Sequence, residues 1–247
     1  MEIETSTLMI FLFILPVLSF LYASVGHGGA SGYLALMALF NFPNTTMKQT
    51  ALLLNLFVAG IAFYHYYKAG HFRKKLFIPF AIGSIPTAFI GGSMQVEPLV
   101  YKKILGVLLI FAIGRIFWKR TRKDSAIKDI KCTQALILGL AVGFFSGLIG
   151  IGGGIILTPI ILLLHWGNMK EAAAVSALFI WVNSFSGLLG QFSSGITLLP
   201  ISGVMVVIAI SGGLAGSYLG SRKWNNRILE YCLGIVLISA SVKLLLF

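Results

Sequence analysis

The sequence predicts an all-α protein that crosses a membrane several times and is built from two repeated halves. Of its 247 residues, 57% are apolar and only 11% are charged, whereas soluble domains carry roughly 25% charged residues. Apolar runs long enough for the about 20 residues of a helical crossing recur along the chain. A glycine-rich motif and its surroundings occur twice, which indicates a duplicated unit.

Four landmarks of the first half return in the same order, and at nearly the same spacing, in the second half. The matched pairs are 26–30 with 150–154, 47–49 with 169–171, 83–92 with 212–221, and 105–110 with 233–238. The halves are therefore predicted to be residues 1–124 and 125–247.

Each half is predicted to hold a broken apolar segment followed by three transmembrane helices. In the first half these are a broken segment at 8–40 and spans at 48–66, 76–94 and 99–118. In the second half they are a broken segment at 132–166 and spans at 171–192, 197–220 and 228–246. Each broken segment is too long for one crossing and has glycines near its middle. A helical hairpin is predicted, either as two short crossings or as a re-entrant pair.

Basic loops predict the orientation of the halves. The net charge is +12, and the basic residues concentrate in loops 68–75, 119–131 and 222–227. This pattern is typical of cytoplasmic loops rather than of a nucleic-acid-binding surface. The second and third loops share a side only if the broken segment at 132–166 makes an even number of crossings. The halves are then inverted repeats, an architecture of many secondary transporters, with loop 193–195 outside.

The two glycine clusters are the candidate substrate site. Irregular backbone at membrane depth is tolerated only where it lines a cavity or is buried in protein. The following helices should begin at about Ala30 and Gly154, and their free N–H groups would favour an anion. The alternative is that the glycines only allow tight hairpins or close packing. The candidate residues are Gly26, His27, Gly28, Gly29, Ala30 and Ser31, with Gly150, Gly152, Gly153 and Gly154.

Other polar residues of the spans allow two interpretations each. Asn55 and Asn183 either hydrogen-bond a substrate or join helices. Lys48 and Lys170 start spans, where a cation opposes the helix dipole at a cost of roughly 0.3–1 kcal/mol. They either attract an anionic solute to a cavity mouth or reach the interface as ordinary snorkelling lysines. His27 either contacts the substrate, binding an anion better when protonated, or is a satisfied core group.

No metal site, cofactor or catalytic residue is predicted. Carboxylates are scarce in the spans, which suits an anion as cargo, and the two isolated cysteines form no metal-binding spacing. Residues 29–32 (GASG) have the form found around the nucleophile of intramembrane serine hydrolases, but no histidine is placed mid-span to act as base for Ser31. An anion channel stays open as an alternative.

The motifs 24–29 (SVGHGG) and 147–154 (GLIGIGGG), followed by Pro159, resemble those of the TauE/SafE-type permeases, the sulfite exporter family. The duplicated halves and segment 83–92 also fit. The resemblance implies movement of sulfite, thiosulfate or organosulfonates across the bacterial inner (cytoplasmic) membrane. The expected partners are a small anionic solute and the lipid bilayer, and a homo-oligomer is left open.

Overall fold

The computed structural model describes most of both halves. Within the described residues the chain is helical and contains no strand. The predicted span 99–118 and nearly all of 228–246 lie outside them. The described residues are 5–40, 42, 44–94, 97, 127–195, 200–225, 227, 228 and 231.

The first half begins with a long helix and a short one separated by a glycine-containing break. The helices are α1 (Thr5–Ser24), α2 (Ala30–Leu39), α3 (Asn44–Lys68) and α4 (Lys74–Ser93). Gly29 precedes α2 with φ of 100°, in the left-handed region that side chains disfavour. The glycine therefore allows the chain to stop one helix and start the next within a few residues.

The second half repeats this order. Its helices are α5 (Cys132–Ile149), α6 (Gly154–Leu163), α7 (Met169–Ser193) and α8 (Ser202–Tyr218), and α8 continues into a wider π-helical turn over Leu219–Lys223. The second short helix again follows a glycine in the left-handed region. Both short helices thus begin at the residues that the glycine clusters predicted.

Five helices of the described part are long and apolar enough to cross a membrane, namely α3, α4, α5, α7 and α8 with its π-helical turn. The short helices α2 and α6 have 10 residues each. At 1.5 Å per residue each is about 15 Å long, half of the roughly 30 Å hydrocarbon core. Neither short arm of the two hairpins can therefore cross a membrane as a single helix.

Glycines bring the helices of different halves into backbone contact. A Cβ at any of six glycines would overlap a carbonyl of the neighbouring helix, on α4 for the α5 glycines and on α1 for the others. Small residues spaced by one turn allow this approach in lipid, so these glycines serve helix packing. They are Gly139, Gly143 and Gly147 in α5, and Gly212, Gly216 and Gly220 in α8 and its π-helical turn.

The corresponding helices α3 and α7 run antiparallel through the centre. Leu52 lies against Gly187, and Gly60 lies against Trp181. Residue numbers therefore rise along one helix as they fall along the other. An inverted repeat requires this relation, but the orientation of each half in a membrane stays a prediction.

The described parts of the three basic loops lie at one end of the bundle. The Arg73 guanidinium donates to the Trp166 carbonyl at 2.9 Å, and the Lys128 amide donates to the His165 carbonyl at 2.7 Å. His71 contacts the π-helical turn that leads into the third basic loop. One end of the molecule therefore carries the charge that the positive-inside rule places in the cytoplasm.

Single cysteines introduced into loops 68–75, 119–131 and 222–227 of a cysteine-free protein should all react with an impermeant maleimide from the cytoplasm. Ser194→Cys should react from outside, because Ser194 belongs to an uncharged loop at the opposite end of the bundle. Labelling in right-side-out and inverted vesicles measures this. Reaction of the 222–227 cysteine from outside would contradict the inverted-repeat prediction.

Candidate functional site

The two glycine-containing breaks meet at Asn55, in the middle of α3. A Cβ added at Gly28 would overlap the amide oxygen of Asn55, and one added at Gly152 would lie 2.6 Å from its amide nitrogen. The Asn55 side chain is completely buried. The residues predicted from the two halves are therefore brought together around one amide.

Asn55 joins the start of α2 to the second half. The Ala30 N–H donates to Asn55 Oδ1 at 3.0 Å, and Asn55 Nδ2 donates to Ser184 Oγ of α7 at 3.3 Å. The amide oxygen satisfies an N–H that has no partner within its own helix. Of the two roles that the sequence leaves open for Asn55, the structure shows the joining of helices, and contact with a substrate stays a prediction.

His27 extends from the first break to the second half. Its Nδ1 lies 3.0 Å from the Val25 carbonyl oxygen, and its Nε2 lies 3.4 Å from Thr158 Oγ1 in α6. Thr158 in turn donates to Ser176 Oγ at 2.7 Å. The imidazole is 1% exposed and the two hydroxyls are fully buried. A polar chain therefore links the first break to α6 and α7.

Sequence analysis did not select the hydroxyls of Thr158, Ser176 and Ser184. Single hydroxyls are common in transmembrane helices, where they bond their own backbone, so their type alone carries little information. The position of Thr158 next to Pro159, which follows the second glycine motif, was the available signal. For Ser184 the signal was its position beside the candidate residue Asn183.

Asn183 differs from Asn55 in its contacts. Its Nδ2 donates to the Phe179 carbonyl of its own helix at 2.7 Å. Its Oδ1 is buried and has no hydrogen-bond partner among the described atoms. The neighbouring Ser184 is the residue that faces Asn55. Substrate contact by Asn183 stays a prediction.

The repeated lysines lie at the ends of neighbouring helices. Lys48 Nζ donates to three carbonyls at the end of α4, among them that of Gly92 at 3.1 Å. Lys170 Nζ donates to the Ser221 carbonyl at 3.3 Å. A cation is favoured at a helix C-terminus, which explains a lysine that would be unfavourable for its own helix. Their attraction of substrate stays a prediction.

The serine of the GASG motif has an aromatic partner. Ser31 Oγ lies 2.7 Å from Tyr22 Oη, and the described contacts of His27 go to Val25 and Thr158. Within the described residues, Ser31 therefore forms no serine–histidine pair of the kind that activates a nucleophile.

The fold and site define a multi-pass helical membrane protein with two interrupted helices that meet inside the bundle, as in many transporters. The family model of the sulfite exporter TauE/SafE matches residues 10–244. The chain belongs to this family and is a membrane transporter of it, which confirms the resemblance found in its motifs.

Relatives of similar length carry transporter names. The probable membrane transporter protein y4hK of Sinorhizobium fredii is 35% identical over 233 residues, which cover 93% of this chain and 94% of that protein. The probable membrane transporter protein YdhB of Bacillus subtilis is 25% identical over 232 residues, covering 88% and 90%. No solved structure matches the chain.

Gly28→Leu and Gly153→Leu should each reduce transport at least tenfold while leaving folded protein in the membrane. A side chain at Gly28 would displace the Asn55 amide, and Gly153 has φ of 78°, which leucine rarely adopts. Transport by reconstituted protein, with size-exclusion profiles as the folding check, measures this. Gly203→Leu is the control, because nothing lies within 4 Å of a Cβ there. Normal transport by both site variants would move these glycines to a packing role.

Proposed function

We propose that the protein is a secondary transporter of a small, sulfur-containing anion such as sulfite, thiosulfate or an organosulfonate. It works by alternating access across the cytoplasmic membrane. The observation that carries the proposal is that both glycine-containing breaks meet around the buried side-chain amide of Asn55. A helix starts at each break.

Backbone donors suit an oxyanion. The N–H groups at the start of α2 and α6 supply directional donors and the positive ends of two helix dipoles. They carry no full charge that must be desolvated when the site is empty. No carboxylate lies in either break to repel an anion or to hold a cation. The chemistry of the site therefore favours an anion over a cation.

Asn55 Oδ1 lies where an oxygen of the anion would bind. Oδ1 accepts a hydrogen bond from the Ala30 N–H. An arriving oxyanion would take the place of Oδ1 as the acceptor for this N–H, and it carries a full negative charge. The hydrogen bond to a charged acceptor is roughly twice as strong as one to a neutral acceptor. Rotation of the amide would then turn Nδ2 toward the anion, so that Asn55 becomes a neutral donor to it.

Burial of the site supports a carrier rather than an open channel. His27 is 1% exposed, and Asn55, Ser176 and Ser184 are fully buried. A solute cannot reach these groups from either end unless helices move. A carrier that exposes its site to one side at a time requires such a closed conformation, whereas a conducting channel keeps a continuous path.

Purified protein in proteoliposomes should take up labelled sulfite saturably and show counterflow, with inhibition by thiosulfate and methanesulfonate. Asn55→Asp, which has nearly the same size, should weaken uptake at least tenfold. Two unit charges 4 Å apart repel by about 4 kcal/mol at an effective dielectric of 20. The matched control is Asn225→Asp, because Asn225 is exposed and the carboxylate still accepts the Ile228 N–H.

Sulfite uptake by Asn55→Asp equal to that of the parent would contradict the placement of the anion. Transport of a cation that is insensitive to all three sulfur-containing anions would contradict the proposed cargo. Uptake that is linear in concentration, without counterflow, would favour a channel.

A further inference from the structure

One backbone carbonyl at the end of α4 accepts hydrogen bonds from two side chains. The Gly92 oxygen accepts from Lys48 Nζ at 3.1 Å and from Gln191 Nε2. Lys48 belongs to the same half as Gly92, and Gln191 belongs to the other half. Gln191 is 2% exposed, so its hydrogen bond is buried, whereas that of Lys48 is partly buried.

The corresponding carbonyl of the second half has the same arrangement. The Ser221 oxygen accepts from Lys170 Nζ at 3.3 Å and from His71 Nε2 at 3.1 Å. Lys170 belongs to the same half as Ser221, and His71 belongs to the other half. Burial lowers the pKa of His71 below its usual value, so the imidazole donates as a neutral ring near pH 7.

The correspondence follows the internal repeat. Segment 83–92 aligns with 212–221 and segment 47–49 with 169–171, so Gly92 pairs with Ser221 and Lys48 pairs with Lys170. A carbonyl has two lone pairs, and at a helix end neither is used within the helix. In each half one lone pair is filled by a lysine of that half and the other by a residue of the opposite half.

The two contacts lie at opposite ends of the bundle with the buried site between them. Lys48 is near the start of α3 and Lys170 near the start of α7, and these helices are antiparallel with Asn55 and Ser184 at their crossing. We name the set Lys48, Gln191 and Gly92 the outer latch. The set Lys170, His71 and Ser221 is the inner latch, at the end with the basic loops.

We propose that the outer and inner latches are the two closures of the transporter, and that each opens separately to expose the site on its own side. Each latch joins the halves through one side-chain hydrogen bond to a helix-terminal carbonyl, beside further contacts of its end such as Arg73 with Trp166 and Ser194 with Ser93. Loss of the latch hydrogen bond therefore shifts the equilibrium toward opening at that end only. This rests on the alternating-access part of the proposed function.

The latches differ in one donor, which provides a matched test. Gln191 is an amide and His71 an imidazole, so His71→Gln gives the inner latch the outer donor, whereas His71→Leu removes the donor. The reporter is Ser184→Cys, at the buried crossing, with Cys132 and Cys232 replaced by serine. The probe is an impermeant methanethiosulfonate reagent applied to right-side-out and to inverted vesicles.

His71→Leu should raise the labelling rate of the reporter about tenfold, from the inner-latch side alone. Loss of one hydrogen bond of about 1.4 kcal/mol changes the opening equilibrium by that factor. His71→Gln should label like the parent. Gln191→Leu should raise labelling from the opposite side alone. His71→Ala and Gln191→Ala, which also remove the donors that join the halves, should reproduce the two directions, and they serve if a leucine variant does not fold.

Three results would overturn the proposal. They are unchanged labelling in folded variants, an equal rise from both sides, and identical behaviour of His71→Leu and His71→Gln. The experiment needs no substrate, so a different cargo would refute the anion proposal without altering these outcomes. Strong labelling of the parent reporter from both sides at once would instead count against alternating access itself.

Discussion

The hydrogen bond from the Ala30 N–H to the Asn55 side chain is the contact on which the site depends. A helix that starts inside an apolar bundle leaves N–H groups that water cannot reach, and each must find a partner in the protein. Asn55 provides one such partner and simultaneously bonds Ser184 of the other half. The same amide therefore stabilises the break and joins the halves, and it lies at the position where we propose that the anion binds.

Close backbone packing makes this arrangement possible. The glycine rows of α5 and α8 bring those helices onto α4 and α1, each in the opposite half. Helix association in lipid depends on such packing and on interhelical hydrogen bonds, because apolar burial gives little advantage there. The halves are consequently held by extended contact along the glycine rows and by a few polar contacts at the ends and around Asn55.

Sequence analysis predicted the repeat, the breaks and the starts of α2 and α6, because glycine clusters and apolar runs are local signals. It did not predict the side-chain contacts between helices. In the sequence, the charge of Lys48 opposes the dipole of its own helix. Only the structure shows that its ammonium lies at the C-terminal end of α4, where a cation is favoured. Asn183 was a candidate residue, whereas the residue that faces Asn55 is its neighbour Ser184. The role of Thr158 and Ser176 is visible only in the fold, where Thr158 lies beside His27 and donates to Ser176.

An experimental structure determined with selenite, whose selenium marks its own position by anomalous scattering, tests the central claim most directly. We expect one selenium peak whose oxygens lie within hydrogen-bonding distance of backbone N–H groups in both 26–31 and 150–155, with the Asn55 amide rotated away from Ala30. A peak bound at another place in the bundle, or at Lys48 or Lys170 alone with the Ala30–Asn55 hydrogen bond intact, would contradict it.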